Sequence, residues 1–226
     1  MAPGKIKGIV FDLDGTLIHS NIDFPKMKRH MIDILEVNGV PQGLLTTMDL
    51  NVEIFEKAER AWDEKGKPES ERIGVRAQLE KAMNQGEIEA IATVEQVEEA
   101  TETVRTLKER GYKLAILTRS HHAYAVEALK KIGAYKYFDL IIGRNETPKP
   151  KPYAEAMEHT AELMGVRLDE VVLVGDHRLD MMSAANAGCF FVGVYTGRRG
   201  DESWGGQKPE VLFDSISDVP AYLEDL

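Results

Sequence analysis

The chain has 226 residues, of which 43% are hydrophobic and 29% charged, and a net charge of −10. Its length suits one sizeable core, or a core with a smaller insert, and its composition is that of a soluble globular protein. The acidic balance argues against a general nucleic-acid or acidic-membrane binder, and the single cysteine, Cys189, excludes an intrachain disulfide. No apolar run approaches the roughly 18 residues of a membrane-spanning helix. Met1-Ala2-Pro3-Gly4-Lys5 lacks the apolar centre of a signal peptide, so a cytoplasmic location is the expectation. Cys189, in Ala-Gly-Cys-Phe-Phe, reads as a small buried hydrophobe.

The first element is a short apolar run, Ile6 to Phe11, with the β-branched content of a buried strand. It runs into Asp12-Leu13-Asp14-Gly15, where Gly15 lets the chain turn sharply. Positions two apart share one face of a strand, so Asp12 and Asp14 can address one small ligand at the tip. Two carboxylates that close favour a divalent cation or raise one another's pKa. The pattern is not a helix-loop-helix calcium loop, which needs a third ligand before the Gly and a Glu further on.

Three helices follow. Asp23 caps the first, with Pro25 in its opening turn, Gly39 as its stop, and Met27, Met31, Ile34, Leu35 and Asn38 on one face. The second spans about Met48 to Lys65, ended by Gly66-Lys67-Pro68, and the third runs from near Glu69 to Asn84-Gln85-Gly86. Residues 19–90 thus form an all-helical block inserted after the first strand, between segments 1–18 and 91–226 of a core. A long amphipathic helix is predicted from Thr93 to Gly111, with Val94, Val97, Val104 and Leu107 on its apolar face.

From there strands and helices alternate. Strands are expected at 112–117, 138–142, 171–174, 190–194 and 211–213, and helices near 122–132, 153–164, 179–187 and 218–225. Such alternation implies an α/β fold, a Rossmann-like doubly wound parallel sheet with ligands at the carboxyl ends of its strands. A dinucleotide fingerprint and a Walker loop are both absent. Gly197-Arg198-Arg199-Gly200 and Gly205-Gly206 read as a solvent loop.

The later strand ends carry residues suited to phosphate. Thr118 and Arg119 follow the second strand; a hydroxyl there caps a helix or donates to a phosphoryl oxygen. Lys149 and Lys151, in Thr147-Pro148-Lys149-Pro150-Lys151-Pro152, form a stiff exposed linker or neutralise a transferring phosphoryl group. Asp176 and Asp180 are four apart and face one way if a helix begins there. With Asp12 they would supply the hard oxygen ligands that Mg²⁺ prefers.

Phe11-Asp12-Leu13-Asp14-Gly15-Thr16-Leu17, Thr118, the Lys-Pro-x-Pro run at Lys149 and the Asp176–Asp180 pair, in this order, resemble the four motifs of the haloacid dehalogenase superfamily. The helical insertion after the first motif resembles the subgroup that contains phosphoglycolate phosphatases. The resemblance implies a Mg²⁺-dependent phosphatase acting on a small-molecule phosphate ester. Asp12 would be the nucleophile that becomes an aspartyl-phosphate, and Asp14 the acid and base, also binding Mg²⁺ through its backbone carbonyl. Thr118 and the Arg119 backbone would hold phosphate oxygens, and Lys149 would stabilise nucleophile and phosphate, with Lys151 its neighbouring rival. Asp176 would bind Mg²⁺, with Asp180 in or just behind that shell. The helical block would act as a cap that selects the substrate, with Arg60, Trp62, Arg72 and Arg76 either contacting it or serving the cap's own packing and charge pairs. A sugar-phosphate mutase and a catalytically idle binding module are the alternatives. The sequence sets neither the substrate nor an oligomeric state.

Overall fold

The computed structural model describes residues 5–197 and 199–224. Arg198 of the glycine-rich loop, Met1 to Gly4 and Asp225 of the expected C-terminal helix lie outside them. Packing divides the chain into two units, Met1–Ser20 with Thr93–Leu226 and, separately, Asn21–Ala92.

The first unit is built on a six-stranded sheet. Its strands are β1 (Gly8–Phe11), β4 (Lys113–Leu117), β5 (Leu140–Ile142), β6 (Val171–Gly175), β7 (Phe190–Val194) and β8 (Leu212–Phe213). They lie in the order β5-β4-β1-β6-β7-β8, and every neighbouring pair is parallel. The chain therefore leaves β1 on one side, through β4 and β5, and returns on the other at β6. This reversal beside β1 is the switch point at which open parallel sheets bind ligands. Helices α4 (Ala100–Glu109), α5 (His122–Lys131), α6 (Ala154–Met164), α7 (Arg178–Ala187) and α8 (Val219–Glu224) complete the alternation. On one face, Val10, Ala115, Leu117 and Leu173 pack against Met157 and Ala161 of α6 and Ala184 of α7. β1, buried throughout, and the wholly buried β6 show the continuous apolar content of strands covered on both faces.

The expected helix from Thr93 to Gly111 forms only from Ala100. Ahead of it, β3 (Glu95–Gln96) pairs antiparallel with β2 (Ile18–His19), and Val97 N donates to Leu17 O at 2.9 Å. Glu99, at φ 59°, then turns the chain into α4. Val94 and Val97 are both buried, but as anchors of this ribbon. Their spacing imitates a helical face without being one.

The second unit is helical throughout its regular structure: α1 (Phe24–Val37), α2 (Asn51–Glu64) and α3 (Glu69–Ala90). Asp23 Oδ1 accepts from Lys26 N at 2.8 Å, which caps α1 as its sequence predicts. Met27, Met31, Leu35, Ile54, Trp62 and Leu79 form its core. α3 runs on past the expected stop at Gly86, because that glycine faces Met27 in a packed contact rather than opening a turn. Arg72 pairs with Glu59 and Asp63, Arg76 with Glu59 and Glu69, and Trp62 Nε1 donates to Asn38 O. These side chains serve the packing and charge balance of their own unit.

Cys189 packs against the core beside α6 and α7, and burial pushes its thiol up to about 12. At pH 8 only about one thiol in ten thousand is ionised, and the thiolate is the reacting form. An aromatic disulfide reagent is expected to label Cys189 negligibly in the native protein and fully in urea, read as absorbance of the released thiolate.

Candidate active site

Asp12 and Asp14 stand at the carboxyl end of β1, where the ladder runs one residue beyond the strand. Asp12 N donates to Val174 O at 2.9 Å. Leu13, fully buried, plugs the turn, and its carbonyl accepts from Leu17 N at 2.9 Å and Ile18 N at 3.1 Å. Asp12 and Asp14 on either side of it are only half-buried. The strand alternation thus continues through the loop and leaves the two carboxylates outward.

Lys151 is the counter-charge. Its Nζ lies 2.6 Å from Asp12 Oδ1 and 2.6 Å from Asp180 Oδ1, and its side chain is 2% exposed. Burial opposes the ammonium, but the two carboxylates outweigh it and hold the lysine pKa above its ordinary value. Asp180 Oδ2 also accepts from His177 N at 3.2 Å, so one side chain both caps α7 and grips Lys151. Oxygens of Asp12, Asp176 and Asp180 all lie within 4.8 Å of one another. Burial, with repulsion from Asp180, lifts Asp12 to about 6 against the pull of Lys151. Burial and repulsion from Asp12 and Asp180 push Asp176 well up. Three carboxylates against one ammonium leave excess negative charge, so the trio can hold a metal ion with hard oxygen donors.

Glycines make room for these carboxylates. A Cβ on Gly15 (φ +93°) or on Gly197 would run into the carboxylate of Asp176, and one on Gly175 would come 2.6 Å from Asp180 Cβ. Thr196 Oγ1 donates to the Gly15 carbonyl at 2.7 Å, tying the segment after β7 to the turn after β1. The Gly197 end of the expected solvent loop therefore packs against the acidic cluster. Nothing in the local composition shows this, since the clash to be avoided is with a residue 21 positions away.

The structure places the two rival lysines differently. Lys149 is 55% exposed, pairs with Glu155 at 2.7 Å and lies over the Tyr153 ring, whereas Lys151 enters the cluster. Helix α7 fixes this choice: Ser183 Oγ donates to Tyr153 O at 3.2 Å and Asn186 Nδ2 to Pro152 O at 2.9 Å. Those clamps seat the loop with Lys151 inward. Ser183 and Asn186 carry no motif, and only their three-residue spacing on one helix face hints at a shared task.

Thr118 does not cap α5; His121 does, through Nδ1 accepting from Ala123 N. Thr118 Oγ1 instead accepts from Ser120 N at 3.0 Å, which leaves its own proton for another acceptor. The Arg119 carbonyl accepts from Arg144 Nη1 at 3.1 Å. Burial, and the like charge of Arg144, press the Arg119 pKa down, while Asp180 and Asp12 act to raise it. Asp14 is surrounded differently, by hydroxyls. Ser20 and Tyr124 donate to Oδ1 and Ser120 to Oδ2, while burial raises the carboxyl pKa. His19 sits in β2 opposite Glu95.

A strand-end carboxylate held by a buried lysine thus stands at the switch point of a parallel sheet. The chain belongs to the haloacid dehalogenase-like hydrolases, whose family model matches residues 9–194. A phosphoglycolate phosphatase of Neisseria meningitidis is 35% identical over 122 residues, 52% of this chain and 52% of its own length. The pyrophosphatase PpaX of Listeria welshimeri is 26% identical over 98% of both chains. Among solved structures, a predicted phosphoglycolate phosphatase of Haemophilus somnus shares the fold, with a TM-score of 0.66, 23% identity and coverage of 97% and 98%.

The two lysines separate experimentally. Lys151→Met leaves Asp12 and the buried Asp180 without their ammonium and is expected to cost about 3 kcal/mol, whereas Lys149→Met should stay within about 0.5 kcal/mol. Urea midpoints of the two variants check this; equal midpoints would contradict the assignment.

Proposed function

We propose that this chain is a Mg²⁺-dependent phosphatase that hydrolyses a small phosphomonoester through an aspartyl-phosphate on Asp12. The observation that carries the reading is Lys151 Nζ at 2.6 Å from both Asp12 and Asp180, within a trio of carboxylates. Phosphoryl transfer asks mainly for positioning and charge neutralisation, and this cluster is built for both.

Asp12 attacks phosphorus, an accepted role for a carboxylate. Lys151 orients the nucleophile and offsets the charge brought by the phosphoryl oxygens. The Thr118 hydroxyl and the Arg119 backbone bind those oxygens. Asp14 protonates the leaving oxygen and then activates the water that hydrolyses the intermediate. Burial raises its pKa, the direction that a group donating a proton needs. Asp12, Asp176, Asp180 and the Asp14 carbonyl would hold Mg²⁺. Bound there, the ion supplies charge to balance the phosphoryl oxygens. The named substrates of the relatives, phosphoglycolate and pyrophosphate, support a small anionic metabolite as this chain's substrate class.

Phosphate release from a panel of phosphorylated metabolites tests the reading. Turnover should require Mg²⁺, stop with EDTA and fall by at least about a thousandfold in Asp12→Asn. Turnover that survives Asp12→Asn would sink the aspartyl-phosphate mechanism.

The metal has a readout independent of turnover. Mg²⁺ at ten times its Kd should stabilise the protein by about 1.4 kcal/mol, raising Tm by about 3–6 °C. Gly197→Ala, which drives a methyl group into the Asp176 carboxylate, should abolish that rise. A rise of wild-type size in the variant would remove Asp176 from the metal site.

A further inference from the structure

The carboxyl group of Asp14 is gripped from three separate segments. Ser20 Oγ, just after β2, donates to Oδ1 at 2.8 Å, and Tyr124 OH, in the first turn of α5, donates to the same oxygen at 2.9 Å. Ser120 Oγ, in the loop after β4, donates to Oδ2 at 3.1 Å. A carboxylate oxygen has two lone pairs. Oδ1 therefore has both engaged, while the hydroxyls leave one on Oδ2.

We propose that Ser20 and Tyr124 are positioning residues that decide which oxygen of Asp14 handles the proton. Oδ1 remains an acceptor throughout, and Oδ2 both gives and takes the proton. The inference rests on the acid–base role of Asp14 proposed above. In the first half-reaction the bond from Asp12 to phosphorus forms, the bond to the leaving oxygen breaks, and the proton on Oδ2 passes to that oxygen. In the second, water oxygen bonds to phosphorus, the Asp12–phosphorus bond breaks, and Oδ2 takes the proton from water. One oxygen serves both transfers, so the carboxyl group need not rotate between them. A proton on Oδ1 would instead displace one of its two donors and lose that hydrogen bond. Tyr124 is 1% exposed, so its ring is locked by packing and its hydroxyl is a fixed reference point for the carboxyl group.

The test uses Tyr124→Phe, which keeps the ring, and Ser20→Ala, which acts on the same oxygen without disturbing the core. The alkyl probe is 2-phosphoglycolate, and p-nitrophenyl phosphate is the aryl probe, whose leaving group departs without a proton. The ratio kcat/KM reports steps only through loss of the leaving group. In each variant it should fall by about ten- to a hundredfold on the alkyl ester and by no more than about threefold on the aryl ester. Slower activation of water should also produce a burst of p-nitrophenolate close to one per enzyme. A merely structural role would lower both esters alike and give no burst. An equal fall on the two esters, or no burst in either variant, overturns the inference. Wild-type protein that hydrolyses neither these esters nor any ester of the metabolite panel overturns the proposed function and this inference with it. An active wild type with an equal fall overturns this inference alone.

Discussion

An ammonium buried among carboxylates sets the terms for the whole sheet end. Lys151 could not stand 2% exposed without Asp12 and Asp180 at hydrogen-bond distance, because an unpaired buried charge costs several kcal/mol. The dependence runs the other way too. Asp12, Asp176 and Asp180 could not crowd within 4.8 Å while ionised without a cation among them. The neighbouring features follow from holding this cluster together. Glycines at 15, 175 and 197 leave space for the carboxylates, and α7 starts where Asp180 can reach both His177 N and Lys151. Ser183 and Asn186 pin the lysine loop to the same helix.

The sheet makes that cluster affordable. β1 lies between β4 and β6, parallel to both, so their carboxyl ends open together at one edge. Asp12 and Asp176 end adjacent strands, and Thr118 ends the strand on the other side of β1. The apolar strand interiors behind them are fully buried, which gives the charged tips a rigid base. Residues separated by more than a hundred positions meet there because strand order, rather than sequence order, decides adjacency.

Much of this architecture was legible because it repeats locally. β-branched runs ended by Gly or Asp mark β1 and β6, and Asp23 with Pro25 marks the start of α1. Features that depend on distant contacts were not legible. Lys149 and Lys151 share the same Pro-rich surroundings, and only clamps from α7 distinguish them. The segment from Thr93 carries a helical spacing of valines, yet β2 captures it as a ribbon partner first. Gly197 looks like loop punctuation until Asp176 is placed beside it. Ser20, Ser120 and Tyr124 belong to no motif, since a hydroxyl donor is common and its acceptor lies elsewhere in the chain.

Asp12 and Asp14 show how far two identical side chains on one turn can diverge. Both are lifted by burial. Around Asp12 the compensating partner is an ammonium, with two further carboxylates close by. Around Asp14 the donors among the described residues are three neutral hydroxyls. An ammonium holds a carboxylate ionised and aimed, which is what the nucleophile role proposed for Asp12 requires. Hydroxyls can hold a carboxyl group in place in either protonation state, since those on one oxygen stay donors when the other carries a proton. Leu13 between them is fully buried and anchors both positions in the core. Asp14 lies two residues past Asp12, where the hydroxyls of Ser20, Ser120 and Tyr124 reach it. The difference between the pair therefore comes from what surrounds each carboxylate, not from the side chain itself.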